Sequence, residues 1–126
     1  MGQYQIVIPH VFHSLHEFID ANRGVKSGRY SGNNMKQEDQ AIIRAYLPRI
    51  RVKRPVYIQY TYYERNKRRD MDNISGYFHK IFQDALVAAG VIPDDGWQWI
   101  KGFSDDFKVD QQWSRVEVII TEVGKK

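Results

Sequence analysis

The residue types best suited to chemistry in this chain are aspartates in two short groups. Asp70 and Asp72 stand two residues apart, and Asp94 and Asp95 follow about twenty residues later. Residues two apart in an extended segment point to the same side of the backbone, so the first two carboxylates can converge. Close carboxylates repel each other, and a divalent cation bound through their oxygens relieves that repulsion. The two groups together predict a divalent-metal site.

Basic residues lie directly beside the first aspartate group. The middle third of the chain is rich in arginine and lysine, although the whole chain has a formal net charge of only +4. Arginine and lysine bind phosphate oxygens, so carboxylates next to them are typical of a metal-dependent enzyme that acts on a nucleic-acid backbone. The basic side chains predicted to contact nucleic acid are Arg29, Lys53, Arg54, Lys67, Arg68 and Arg69.

Each aspartate group also has a purely structural interpretation. Asp72 can cap a helix, and Asp70 can pair with Arg68 or Arg69. The segment Asp94-Asp95-Gly96 can simply form a turn, because Asp and Gly are common in turns. Either group alone favours the structural interpretation, whereas the two groups joined by an amphipathic helix favour a shared site.

Composition limits the remaining possibilities. The 126 residues suffice for one domain with its own hydrophobic core. Cysteine is absent, which excludes disulfides and thiolate metal sites and leaves Asp, Glu or His as metal ligands. No apolar run approaches the ~20 residues of a membrane span, and the first residues lack a signal-peptide pattern. We therefore expect a cytoplasmic protein.

The elements that must position the aspartates are predicted in the order β-α-α-β-α-β-β. Hydrophobic periodicity indicates strands at residues 4–8, 56–63, 97–103 and 115–122. It indicates helices at about residues 14–22, 34–47 and 72–89. Residues 23–34 are expected to form a polar loop, and residues 104–112 a polar connection between the last two strands. We predict one α+β domain over residues 1–126, with a small mixed sheet covered by about three helices.

Residues 65–123 resemble the RusA family of Holliday junction resolvases in motif order and spacing. The resemblance lies in Arg69-Asp70-Met71-Asp72-Asn73, Lys80, Asp84-Ala85-Leu86, Ala89-Gly90-Val91, Asp94-Asp95 and Ile119-Ile120-Thr121-Glu122-Val123. One position departs from the family pattern, in which a lysine follows the aspartates by about one helical turn. Gly76 stands there in this chain, and Lys80 is the first lysine of the helix.

The resemblance implies a symmetric homodimer, of phage or prophage type, that resolves four-way DNA junctions by paired nicks in recombination and repair. It implies Mg²⁺ held by Asp70, Asp72 and Asp95, with Asp94 less favoured than its neighbour, and Lys80 as a catalytic residue. Three alternatives stay open. They are a related nuclease that cuts flaps, an architectural protein that binds branched DNA without catalysis, and a structural protein whose aspartates only form caps and turns.

Overall fold

The computed structural model describes residues 2–23 and 32–124, which form a four-stranded mixed sheet and three helices. The strands are β1 (Gln3–Ile8), β2 (Val56–Glu64), β3 (Ile100–Val109) and β4 (Arg115–Glu122). The helices are α1 (Leu15–Arg23), α2 (Gly32–Tyr46) and α3 (Met71–Ala88). The predicted element order and α+β fold are confirmed. Within the described ranges, no helix is both long and apolar enough to cross a membrane.

The sheet order β1-β4-β2-β3 leaves β3 at an edge. Strand β4 pairs antiparallel with both β1 and β2, whereas β2 and β3 are parallel. A parallel pair requires a crossover connection, and α3 provides it. The pairing places Ile100 beside Val56 at one end of the sheet and Val109 beside Glu64 at the other. The chain segments before and after α3 therefore lie at opposite ends of these strands.

The hydrophobic core lies between one face of the sheet and the helices. Along β4, residues alternate between buried and half-buried, as the sequence pattern predicts. Tyr60 and Tyr62 of β2 are buried and pack edge-on against Phe78 of α3. Such aromatic pairs add packing energy beyond the area they bury, so the strand that leads to Asp70 is firmly anchored.

The ends of α1 and α3 follow the local signals in the sequence. The Ser14 N–H donates to Glu17 Oε1 at 2.9 Å, and the Glu17 N–H donates to Ser14 Oγ at 3.2 Å, which is a capping box at the predicted start of this helix. After α3, Gly90 has φ of 76°. The Val91 N–H bonds to the Leu86 carbonyl at 2.9 Å, which completes a Schellman motif. Helix α2 begins at Gly32, two residues before the start predicted at residue 34.

The prediction of a strand at residues 97–103 followed by a polar connection at 104–112 is wrong. Strand β3 covers Ile100–Val109, and the Trp99 N–H bonds back to the Gly96 carbonyl at 3.0 Å in a turn. The polar run Ser104-Asp105-Asp106 suggested a loop. It is compatible with a strand at the sheet edge, where most side chains of β3 face solvent.

Glu122 joins the first residues of the chain to the segment before β2. Its carboxylate accepts hydrogen bonds from the Gly2 N–H at 2.9 Å and the Lys53 N–H at 2.8 Å. The bond from Lys53 is the largest cause that lowers the pKa of Glu122 from its ordinary value. A lowered pKa in the folded state stabilises the fold above the ordinary carboxylate pKa, and this contribution disappears as pH falls through the folded-state pKa.

We expect Glu122→Gln to lower the melting temperature by about 5 °C at pH 7, because an uncharged amide accepts these N–H bonds more weakly. The difference from wild type should shrink below the ordinary carboxylate pKa of 4.5. Circular dichroism melts at pH 7 and pH 3 measure both effects. Asp106→Asn, at an exposed position of β3, is the matched control and should melt like wild type. An equal deficit of Glu122→Gln at both pH values would contradict the assignment.

Candidate active site

Asp70 lies where the chain enters α3. It is the N-cap residue, with extended φ and ψ of −70° and 149°, and its carboxylate makes no capping hydrogen bond. Its carbonyl accepts the N–H groups of Asn73 at 3.0 Å and Ile74 at 3.2 Å. The N-cap residue of α3 is therefore Asp70 rather than Asp72. Its backbone carbonyl, not its side chain, accepts the hydrogen bonds at the start of the helix. The exposed Asp70 carboxylate remains at the positive end of the helix dipole.

Asp72 lies in the first turn of the same helix and is also exposed. Asp70 and Asp72 thus stand at the same helix end, but Asp72 is already helical, so the extended segment from which their convergence was predicted ends at Asp70. The partial positive charge of that end and its unpaired N–H groups offset part of the repulsion between two carboxylates. Carboxylate oxygens are the ligands that Mg²⁺ prefers in proteins, so this end of α3 suits a hard divalent cation.

A cavity of about 610 Å³ opens beside Asp70. Lys67 from the preceding loop and Lys108 from β3 line it together with Asp70 and Glu64. Lys67 is exposed and could contact a phosphate group near Asp70, whereas the Lys108 Nζ lies 5.9 Å from the centre of the Tyr63 ring. Sequence reasoning missed Glu64 and Lys108. Glu64 could have been placed near Asp70 from the sequence, because it ends a predicted strand and only the short loop 65–70 separates the two residues. Lys108 could not, because it lies near Asp70 only through the pairing of β3 with β2.

Arg69, predicted to contact DNA, has an internal partner. Its Nε donates to Glu64 Oε1 at 3.1 Å and its Nη2 to Glu64 Oε2 at 3.0 Å, while Nη1 donates to the Phe12 carbonyl at 2.8 Å. This two-point pair is the geometry in which arginine binds a carboxylate most strongly. The structure therefore gives Arg69 a positioning role: it holds the loop before Asp70 against the segment before α1.

The other predicted basic residues fall into two groups. Lys67 and Arg68 are exposed next to Asp70, whereas Lys53 and Arg54 are exposed just before β2, at the opposite end of that strand. Arg29 lies outside the described residues.

Lys80 is not close to the aspartates. It lies eight residues beyond Asp72, or about 12 Å along the helix axis. Its side chain is 63% exposed, and its Nζ lies 3.4 Å from Asp84 Oδ1. Asp84 also pairs with Lys36 at 3.7 Å, so these residues link α3 to α2 on the outer surface. The structure gives no contact between Lys80 and the cavity beside Asp70.

The second aspartate group lies far from the first. Asp94 forms the turn, because its Oδ1 accepts the Gly96 N–H at 2.7 Å, while Asp95 is exposed. The turn leads into the start of β3. The 18 residues of α3 separate it from Asp70, which corresponds to ~27 Å at the usual helical rise. Asp95 therefore does not meet Asp70 and Asp72 within one chain. Across residues 2–23 and 32–124, no group of three or more Asp, Glu, His or Cys could hold a metal.

Two polar networks lie away from the cavity and were also missed. Asp39 is buried and accepts the Tyr77 hydroxyl at 2.7 Å, with His13 Nδ1 at the same distance. On the other side of α3, Asp105 accepts the Tyr62 hydroxyl at 2.9 Å and lies 2.7 Å from His79 Nε2. Burial raises the pKa of Tyr62, which keeps its hydroxyl protonated as a donor. Both networks fix α3 against its neighbours.

Comparison with models of known protein families gives no match, and comparison with curated protein sequences gives no significant match. The functional assignment therefore depends on the fold, the motif spacing and the surroundings of Asp70.

Proposed function

We propose that this protein is a Mg²⁺-dependent endonuclease that cuts branched DNA, with four-way junctions as its substrate. The observation that carries the proposal is the carboxylate of Asp70. It is not used for capping, stands at the N-terminus of the helix whose first turn holds Asp72, and lines a cavity together with Lys67 and Lys108. Carboxylates suit the cation and lysines suit the phosphate. Preference for four-way junctions comes from the resemblance to the RusA family.

The proposal includes a symmetric homodimer, because Asp95 lies too far from Asp70 and Asp72 within a single chain to share a cation with them. Strand β3 has an exposed edge of ten residues, with Phe103 and Val109 largely exposed. A long exposed edge strand with apolar residues is a template for pairing with another chain. Antiparallel pairing of two β3 edges about a two-fold axis sets the Ile100 end of one copy beside the Val109 end of the other.

Such pairing assembles the complete ligand set twice. Asp95 lies near the Ile100 end of β3, and the cavity beside Asp70 is lined by Val109. Each copy therefore contributes Asp95 to the pair Asp70 and Asp72 of the other copy. Lys53 and Arg54 lie at the same end of the sheet as Asp95. In the dimer they therefore also lie near the site of the other copy, where they add positive charge for the bound DNA. Two such sites in one dimer suit two paired nicks.

Each residue of the site then has a distinct role. Asp70 and Asp72 hold the cation together with Asp95 of the second copy. Lys67 and Arg68 contact the phosphate oxygens and offset the charge that develops on them. When bound, the cation supplies Lewis acidity at the phosphate and lowers the pKa of water. Arg69 keeps Glu64 and the loop before Asp70 in place, and Lys80 has no role in this mechanism.

A cleavage assay with three DNA substrates tests the proposal. A four-way junction, a flap and a linear duplex of matched sequence are incubated with the protein in Mg²⁺ or in EDTA. We expect paired nicks in the junction, only in Mg²⁺. Preferential cleavage of the flap would favour a flap nuclease, and junction binding without product would favour an architectural protein. Absence of both binding and cleavage would reject a DNA-directed function.

A further inference from the structure

Trp113 is presented on a loop that neighbouring polar groups hold in place. The loop of residues 110–114 connects β3 to β4. Asp110 Oδ1 accepts the N–H groups of Gln112 at 3.2 Å and Trp113 at 3.0 Å, and Asp110 Oδ2 accepts Arg115 Nη1 at 2.9 Å. The bond from Arg115, followed by that from the Trp113 N–H, lowers the pKa of Asp110. The indole nevertheless remains 51% exposed.

A guanidinium covers one face of the indole, while about half of the Trp113 surface stays exposed. The Arg115 guanidinium carbon lies 4.1 Å from the centre of the Trp113 ring and 3.6 Å from the centre of the Tyr63 ring. The guanidinium thus lies against both rings and fixes Trp113 relative to β2. Because the ring is already ordered, stacking of a ligand on its open face loses little conformational entropy.

A cavity of about 500 Å³ lies at this loop. The polar residues that line it with Trp113 are His10, Arg65, Gln111, Gln112 and Ser114. Glutamine amides both donate and accept hydrogen bonds, and arginine binds phosphate. A flat aromatic surface, amide groups and a cation match the three parts of a nucleotide: the base face, the base edge and the phosphate.

The cavity at Trp113 lies at the same end of the sheet as the cavity at Asp70, where β2 and β3 finish. Arg65 directly follows Glu64, which lines the cavity with Asp70. The Asp110 N–H donates to the Glu64 carbonyl at 2.8 Å, so the Trp113 loop is tied to the same strand end. Tyr60 and Tyr62 are buried and offer no face for stacking, which distinguishes Trp113 from these aromatic residues of β2.

We infer that the cavity at Trp113 binds an unpaired nucleobase of the DNA strand that enters the Asp70 site. This inference rests on the proposed function and adds a contact that selects strands with unpaired bases. Base stacking on an aromatic side chain tolerates any sequence, because every base has a π-face. The Trp113 contact therefore contributes affinity for open or branched DNA without sequence preference.

The inference is tested by binding measurements in EDTA, which need no cleavage. Fluorescence anisotropy gives the Kd of a 12-nucleotide oligo(dT) and of a blunt duplex of equal length. We expect Trp113→Ala to weaken oligo(dT) binding about tenfold and to leave duplex binding unchanged. Trp113→Phe, which keeps an aromatic face, should restore most of the affinity. An equal loss for both DNAs, or no loss for oligo(dT), would overturn the inference.

Tyr46→Ala is the matched control, because Tyr46 is 46% exposed at the end of α2 and lines neither the cavity at Asp70 nor the cavity at Trp113. It should bind oligo(dT) like wild type, and an effect as large as that of Trp113→Ala would also overturn the inference. The proposed nuclease function is judged separately by Mg²⁺-dependent cleavage. Cleavage without a Trp113 effect rejects only the base contact, whereas a Trp113 effect without cleavage rejects only the nuclease.

Discussion

Asp70→Asn is expected to reduce Mg²⁺-dependent junction cleavage by more than about a hundredfold while junction binding stays intact or becomes tighter. The amide removes a charged cation ligand and also removes a negative charge that faces the phosphate. Folding should be unaffected, because the side chain makes no capping bond and the carbonyl alone caps α3. Single-turnover cleavage in Mg²⁺ and junction binding in EDTA measure the two effects.

Asp84→Asn provides the control within the same helix. Asp84 pairs with Lys36 and Lys80 on the outer surface, so its neutralisation should leave cleavage near the wild-type rate. Asp72→Asn should behave like Asp70→Asn, because both carboxylates belong to one helix end. If Asp70→Asn cuts junctions as fast as wild type, the assignment of the metal ligands is wrong.

The parts of the fold that the sequence predicts well depend on contacts between neighbouring residues. The capping box of Ser14 and Glu17 and the glycine after α3 each act within a few residues, so composition and spacing define them. The alternation along β4 is equally local, because successive side chains of a strand point to opposite faces. Strand β3 was misplaced because its polar centre is acceptable only at a sheet edge, which is a property of the whole fold.

The features of the candidate site likewise include some that are local in the sequence and others that depend on the whole fold. The placement of Asp70 and Asp72 at the start of one helix was predictable, because the helical pattern that follows them is local. The pairing of Arg69 with Glu64 depends on where β2 ends relative to α3, and the sequence does not give that geometry. The separation of Asp95 from Asp70 follows from the length of α3 and the parallel pairing of β2 with β3. Motif spacing alone could not show that one chain keeps these carboxylates apart.

A mixture of two inactive variants, Asp70→Asn and Asp95→Asn, is expected to recover nicking activity. In the proposed dimer, each site takes Asp70 from one copy and Asp95 from the other. A mixed dimer therefore contains one site with both carboxylates and one site with neither. After equal mixing and subunit exchange, half of the dimers are mixed, so the recovered nicking should reach about a quarter of the wild-type rate. The product should carry one nick rather than a symmetric pair.

A mixture of Asp70→Asn with Asp72→Asn is the matched control. Both residues belong to the same helix end, so every site in a mixed dimer lacks one of them and no activity should return. Co-refolding of the two variants ensures exchange, and nicking of a supercoiled cruciform plasmid measures the result. Recovery in the first mixture alone requires ligands from two chains. If neither mixture recovers activity although exchange is complete, the carboxylates do not act across the dimer, because only a shared site can be rebuilt from two defective chains.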